Sequence, residues 1–140
     1  MIVLDTDHLS LLEWREKQQT QRLQDRLDQS GEVVFATIVS FEEQSRGWLA
    51  KIAAVKTAKD LVEAYRRLLN HLENYRAIGV LPFDEIAATE YQRLRKLKLR
   101  IGTMDLRIAA IAMTRRAKLL SKNRADFTNV PGLVIEDWTV

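Results

Sequence analysis

Residues 1–10 read MIVLDTDHLS, and their order decides the fold: Ile2, Val3 and Leu4 form a short apolar run that ends in two carboxylates one residue apart, Asp5 and Asp7. A run this brief and rich in β-branched residues suits a buried strand. In open α/β sheets, ligands collect beyond the carboxyl ends of the strands, so an acid leaving the core directly after a strand stands where a working acid is needed. A carboxylate flush against a buried strand is also costly without a partner. Asp5 is therefore the first candidate site residue.

After this strand a helix begins at Leu9 and continues to Asp28, with Leu23 and Leu27 four apart. The stretch QSGEVVFATIVS supplies a glycine turn and a second strand, Val33 to Phe35. A second helix opens in SFEEQSRGWLAKIAAV, where Ser40 is the expected N-cap and Glu43 stands at capping-box spacing. From Lys56 to Arg76, Leu61, Ala64, Tyr65, Leu68, Leu69 and Leu72 recur at intervals of three and four, the pattern of an amphipathic helix. A helical hairpin is thus predicted before the third strand, IGVLPFD, which ends near Pro82. Asp84 is placed to cap the helix through Ala87, Tyr91, Leu94 and Leu97. In IGTMDLRIAAIAMTRRA, Thr103 is the expected cap and Ile108, Ala109, Ala112 and Met113 the buried stripe. KLLS and LVIEDW are short terminal strands. Strands alternating with helices predict an α/β fold with a central, mainly parallel sheet flanked by helices.

A chain of 140 residues suits one domain spanning 1–140. Its hydrophobic fraction of 46% and charged fraction of 29% are those of a globular protein. No apolar stretch approaches the roughly 20 residues that cross a bilayer, and the N-terminus carries no export signal, so a cytoplasmic protein without membrane contact is expected. There is no cysteine for a disulfide or thiolate site, and only His8 and His71 among histidines. Any metal must therefore be held by oxygen. The net charge of +3 favours an anionic partner without naming it.

Acids stand at strand ends or helix starts in four places: Asp5, the pair Glu42 and Glu43, Asp105, and Asp126. Each also has a plain structural reading, because acids in a first helical turn are favoured by the macrodipole and Asp is common in turns. If a parallel sheet brings them to one edge, their repulsion raises a pKa or calls for a cation. Mg²⁺ or Mn²⁺ answers that need, since hard cations take oxygen ligands and keep positions for water and phosphate oxygens. Such ions assist water in hydrolysing a phosphodiester.

VLDTDHLS, TIVSFEEQSRGW, MDLRIAAIA and LLSKNRADFTNVPGLVIEDW resemble, in order and spacing, the motifs of the PIN-domain ribonucleases. Within that superfamily they look most like VapC-type toxins of toxin–antitoxin modules. The resemblance covers nearly the whole chain and is weakest from Lys56 to Arg76. It implies a PIN-like three-layer fold and a Mg²⁺- or Mn²⁺-dependent endoribonuclease with Asp5, Glu43, Asp105 and Asp126 as catalytic and metal-holding acids. Counting back four residues from Gly47 selects Glu43, although the doubled acid leaves Glu42 open. Thr6, Ser121 and Asn123 match supporting polar positions, and Asp7 departs from the family, which commonly has Asn there. The resemblance further implies an RNA substrate such as a tRNA or rRNA, a cognate antitoxin and a homodimer.

Arg46 and Arg107 lie beside matched acids and are the candidate phosphate contacts. The basic run RLRKLKLRIG reads either as an RNA-facing stripe or as a solvated helix face around Leu94 and Leu97. Trp14, Trp48 and Trp138 read as core or dimer anchors rather than base-stacking platforms, and His8 as a local hydrogen-bonding residue. The predicted hairpin is a candidate surface for the antitoxin. Two other functions fit parts of the pattern: a PIN-like domain that binds RNA or a partner without cutting, and a haloacid-dehalogenase-like phosphatase. The second is suggested by Asp-x-Asp after a strand, but Leu9 stands where Thr or Val belongs, and Lys118 would have to supply the lysine.

Overall fold

The structure is a computed structural model that describes residues 1–13 and 18–140. Trp14 lies outside the described residues. In chain order the elements are β1 (Ile2–Leu4), α1 (Thr6–Glu13), α2 (Gln18–Ser30), β2 (Val34–Thr37), α3 (Ile38–Ala54), α4 (Ala58–Ala77) and β3 (Gly79–Leu81). These are followed by α5 (Glu85–Arg95), α6 (Thr103–Thr114), β4 (Lys118–Leu120), α7 (Arg124–Phe127) and β5 (Ile135–Glu136). The five strands form one sheet in the order β3-β2-β1-β4-β5, and every pairing is parallel.

Strand periodicity divides the core into two halves. Val3 and Leu119 point to the face covered by Leu94, Ile108, Ala109, Ala112 and Phe127. Ile2, Leu4, Ala36 and Leu120 point to the other, against Leu9, Leu23, Leu27, Tyr75 and Trp138. A sheet covered on both faces needs continuous apolar strands, and IVL in β1 is wholly buried. No helix among the described residues is long and apolar enough to cross a membrane.

Two helix starts differ from expectation. Helix α3 begins at Ile38, directly after β2, because the Thr37 hydroxyl accepts from Ser40 N at 3.1 Å and caps it. Ser40 is thereby a buried residue of the first turn rather than the cap. Helix α6 is capped by Gly102, in extended backbone and without a side-chain bond, so Thr103 is its first residue. Asp84 does cap α5, accepting from Ala87 N at 2.9 Å. The stripe predicted for α4 also divides: Ala64 is buried, while Leu61, Tyr65, Leu69 and Leu72 are exposed. The helix instead packs through His71 and Tyr75, whose rings meet Phe41 of α3 at 5.1 and 5.0 Å. Beyond α5, Leu97 is exposed although Leu94 is buried. Trp138 is a core residue; Trp48 is half-buried, with Lys51 Nζ 4.4 Å from its ring.

Candidate active site

Because all five strands run the same way, their carboxyl ends share one edge. From β1 the chain reaches β2 and β3 on one side and β4 and β5 on the other, so the strand order reverses between β1 and β4. A crevice opens at such a reversal. Asp5 is the first residue past β1 and Ser121 the first past β4.

The Asp5 backbone is tied to both layers, its N–H donating to Leu120 O at 2.9 Å and its carbonyl accepting from Leu9 N at 3.0 Å. Its side chain is only 5% exposed. Oδ1 accepts from Thr6 N at 2.8 Å and Oδ2 from Ser121 Oγ at 2.6 Å. Burial pushes the carboxyl up to about 7; the Ser121 and Thr6 hydrogen bonds oppose the rise, and the charges of Asp7 and Asp105 add to it. Asp7 differs although it is its near neighbour. Burial works against its charge, but hydrogen bonds from His8 and then from Lys122 N prevail and hold it below the usual carboxylate range.

Glu43 enters from α3. Burial raises its pKa, the Asp105 charge adds to the rise, and the Thr6 hydroxyl partly offsets it. Its Oε1 is buried and accepts no hydrogen bond from the described residues. Glu42 instead forms an ion pair with exposed Arg46 at 2.5 Å. The doubled acid therefore splits, and Glu43 is the member joined electrostatically to Asp105. Asp105, in the first turn of α6, is raised by burial and then by the Asp126 charge. Asn123 relieves that repulsion, its Nδ2 lying 3.0 Å from Asp126 Oδ2 and 3.3 Å from Asp105 Oδ2.

Arg107 stands 5.6 Å from the Tyr91 ring centre and donates to Met104 Sδ. In the basic run, Arg93 pairs with Glu90 and Arg95 lies against the Tyr91 ring. Lys118 is level with Ile2 and pairs with Glu136 at 3.1 Å, so it is not the lysine that a phosphatase of the Asp-x-Asp kind needs beside Asp5. Sequence reasoning read Ser40 only as a helix cap and missed its place beside the site, where its hydroxyl accepts from Thr6 Oγ1 at 3.1 Å and so joins α1 to α3. Only the strand-to-helix junction at Thr37 could have revealed it.

Among the described residues, no three His, Cys, Asp or Glu side chains stand close enough together to hold an ion as they are placed. The chemistry of the donors nonetheless fits a hard divalent cation. All are oxygens, three of the carboxyls are raised by burial and mutual repulsion, and one buried Glu43 oxygen lacks a partner among the described residues.

The family model for the PIN domain matches residues 2–133. No curated protein sequence matches the chain. Among solved structures, FitAcB from Neisseria gonorrhoeae covers all of both chains at 24% identity and a TM-score of 0.71. DNA-bound VapBC from Salmonella typhimurium covers 98% of this chain and 97% of its own at 19% identity and a TM-score of 0.73. A toxin–antitoxin complex from Klebsiella pneumoniae covers 96% of each at 17% identity and a TM-score of 0.63. At such identities the likeness is one of fold.

Proposed function

The chain belongs to the PIN domain family, and from that membership and its acids we propose that it is a divalent-metal-dependent endoribonuclease acting as the toxin of a toxin–antitoxin module. The observation that carries this reading is the buried Asp5 carboxyl at the reversal of strand order, raised to about 7 and within the field of Asp105.

Asp5, Glu43, Asp105 and Asp126 would hold Mg²⁺ or Mn²⁺, which when bound supplies Lewis-acid polarisation of a phosphate oxygen and an acidified water. Glu43 Oε1, without a donor among the described residues, is available to accept a proton from the attacking water. Thr6 and Ser40 steady α1 against α3, and Asn123 keeps Asp105 and Asp126 together despite their charges. Arg46 and Arg107 are the phosphate contacts. Arg46 needs only to leave an exposed ion pair with Glu42, a small loss. The acid set is what favours cleavage over RNA binding alone.

A cognate antitoxin and a second copy of the chain are the proposed partners. The toxin–antitoxin complex of like fold supports the first. So does the apolar face of α4, where Leu61, Val62, Tyr65, Leu69 and Leu72 are exposed among the described residues.

The test is cleavage of total cellular RNA by purified protein with Mg²⁺, Mn²⁺ or EDTA, beside an Asp5→Asn variant shown to be folded by circular dichroism. Discrete metal-dependent fragments absent in the variant support the reading, and sequencing their ends names the target. Two folded and equally inactive proteins across the metals would overturn it in favour of a binding role.

A further inference from the structure

Behind Asp7 lies His8, which has no exposed surface and both ring nitrogens engaged. Nδ1 stands 2.7 Å from Asp7 Oδ1, and the backbone N–H of Trp138 meets Nε2 at 3.4 Å. A peptide N–H can only donate. Nε2 therefore presents its lone pair, and the ring proton is assigned to Nδ1, from which it donates to Asp7. The nearby Asp137 does not compete for Nε2. Its Oδ1 is 3.7 Å away and already accepts from Thr139 N at 2.9 Å and Thr139 Oγ1 at 2.6 Å.

Asp7 carries the connection onward. With Oδ1 taken by His8, its Oδ2 accepts from Lys122 N at 2.9 Å and faces Ser121 Oγ at 3.2 Å. Ser121 Oγ accepts from Asn123 N at 3.0 Å and spends its own proton on Asp5 Oδ2. Both oxygens of Asp7 thus receive donors, a demand that an Asn could not meet because its amide nitrogen would face one of them. The connection runs from the C-terminal tail through His8 and Asp7 to the Lys122 N–H, and along the backbone from there to Ser121 and so to Asp5.

We propose that His8, fixed in its Nδ1–H form by the Trp138 backbone, is a positioning residue for the site. It orients Asp7, and Asp7 holds the Ser121–Lys122 corner so that the Ser121 hydroxyl meets Asp5. The tail that sets it, Asp137–Thr139, lies beyond residue 133, where the family match ends. The effect on rate rests on the ribonuclease reading; the hydrogen-bond path does not.

The experiment compares the wild type with His8→Asn, whose amide NH₂ takes the place of Nδ1–H, and His8→Gln, whose amide reaches the Nε2 position instead. Long-range ¹H–¹⁵N correlation of the wild-type ring is expected to show a protonated Nδ1 and a bare Nε2. Hydrogen exchange is expected to leave Lys122 N–H protected in the wild type and His8→Asn and to open it in His8→Gln. Mn²⁺-dependent cleavage of total cellular RNA is expected to fall about 10- to 100-fold in His8→Gln and to be restored towards wild type in His8→Asn. A protonated Nε2 in the wild type overturns the proposal even if neither variant folds. So does Lys122 protection that is equal in the two variants. Absence of cleavage by every protein, with the ring and Lys122 results as expected, overturns the ribonuclease reading and leaves the path from tail to Asp5 standing.

Discussion

Ser121 Oγ donates to Asp5 Oδ2 at 2.6 Å, joining the ends of adjacent strands that are 116 positions apart in the chain. The bond favours the charged form of an acid that burial otherwise keeps protonated. Ser121→Ala is therefore expected to raise the Asp5 titration midpoint further, by about one pH unit for the loss of a hydrogen bond to a charged group. Carbon-13 NMR of the Asp5 carboxyl in metal-free protein reads it directly, and an unmoved midpoint would count against the bond.

The raised acids fix the sign of the pH dependence. Between the unfolded value of 3.8 and the folded value of about 7, the native state holds a proton on Asp5 that the unfolded chain has released. Stability attributable to Asp5 is thus full below pH 4 and lost as pH rises through 7, by a few kcal/mol. Glu43 and Asp105 act in the same direction. Urea denaturation of metal-free protein is expected to show this decline, and Asp5→Asn to flatten it. Mn²⁺ at pH 8 is expected to restore stability in the wild type, since a ligand held only by the folded state adds to it. A decline unchanged in Asp5→Asn would be the contrary result.

Asp5, Asp105 and Asp126 were legible in the sequence because each follows a strand or stands at the start of a helix, whereas Glu43 lies beyond the first turn of α3; the alternation of those elements predicts a parallel sheet with one working edge. The start of α3 was not. Ser40 with Glu43 three residues on has the spacing of a capping box and so reads as the cap, whereas Thr37 caps the helix directly after β2. Periodicity in α4 gave an apolar stripe but not its partner. Small Ala64 and the polar-tipped His71 and Tyr75 face inward because Ser45 and Gln44 meet them at 2.8 and 2.6 Å, long-range pairings that no local pattern encodes. The His8 contact with the Trp138 backbone spans 130 positions and is equally invisible in DTDH.

Gly79 offers a test of the sheet independent of the acids. It pairs with Phe35 across β2 and β3, and a Cβ there would lie 2.6 Å from Phe35 Cδ1 and 2.7 Å from Cε1. The ring has to move, so Gly79→Ala is expected to cost about 1–3 kcal/mol. Urea denaturation at fixed pH measures the cost. The Asp5 midpoint is expected to stay put, because Gly79 lies at the edge strand.

Asn123 provides the sharpest separation of electrostatics from packing. One amide nitrogen serves both Asp105 and Asp126, so Asn123→Ala leaves two carboxylates with their repulsion and no shared donor. The loss is expected to be about 1–3 kcal/mol at pH 8 without metal. It should shrink at pH 4, where Asp105, its pKa raised, carries less charge, and again at pH 8 on adding Mn²⁺ if a cation takes over the neutralising role. A simple cavity would cost the same under all three conditions. Denaturation curves of wild type and variant at pH 4, pH 8, and pH 8 with Mn²⁺ decide between them, and Asn123→Asp, with a third carboxylate in place of the donor, is expected to widen the pH 8 deficit while gaining most from the metal.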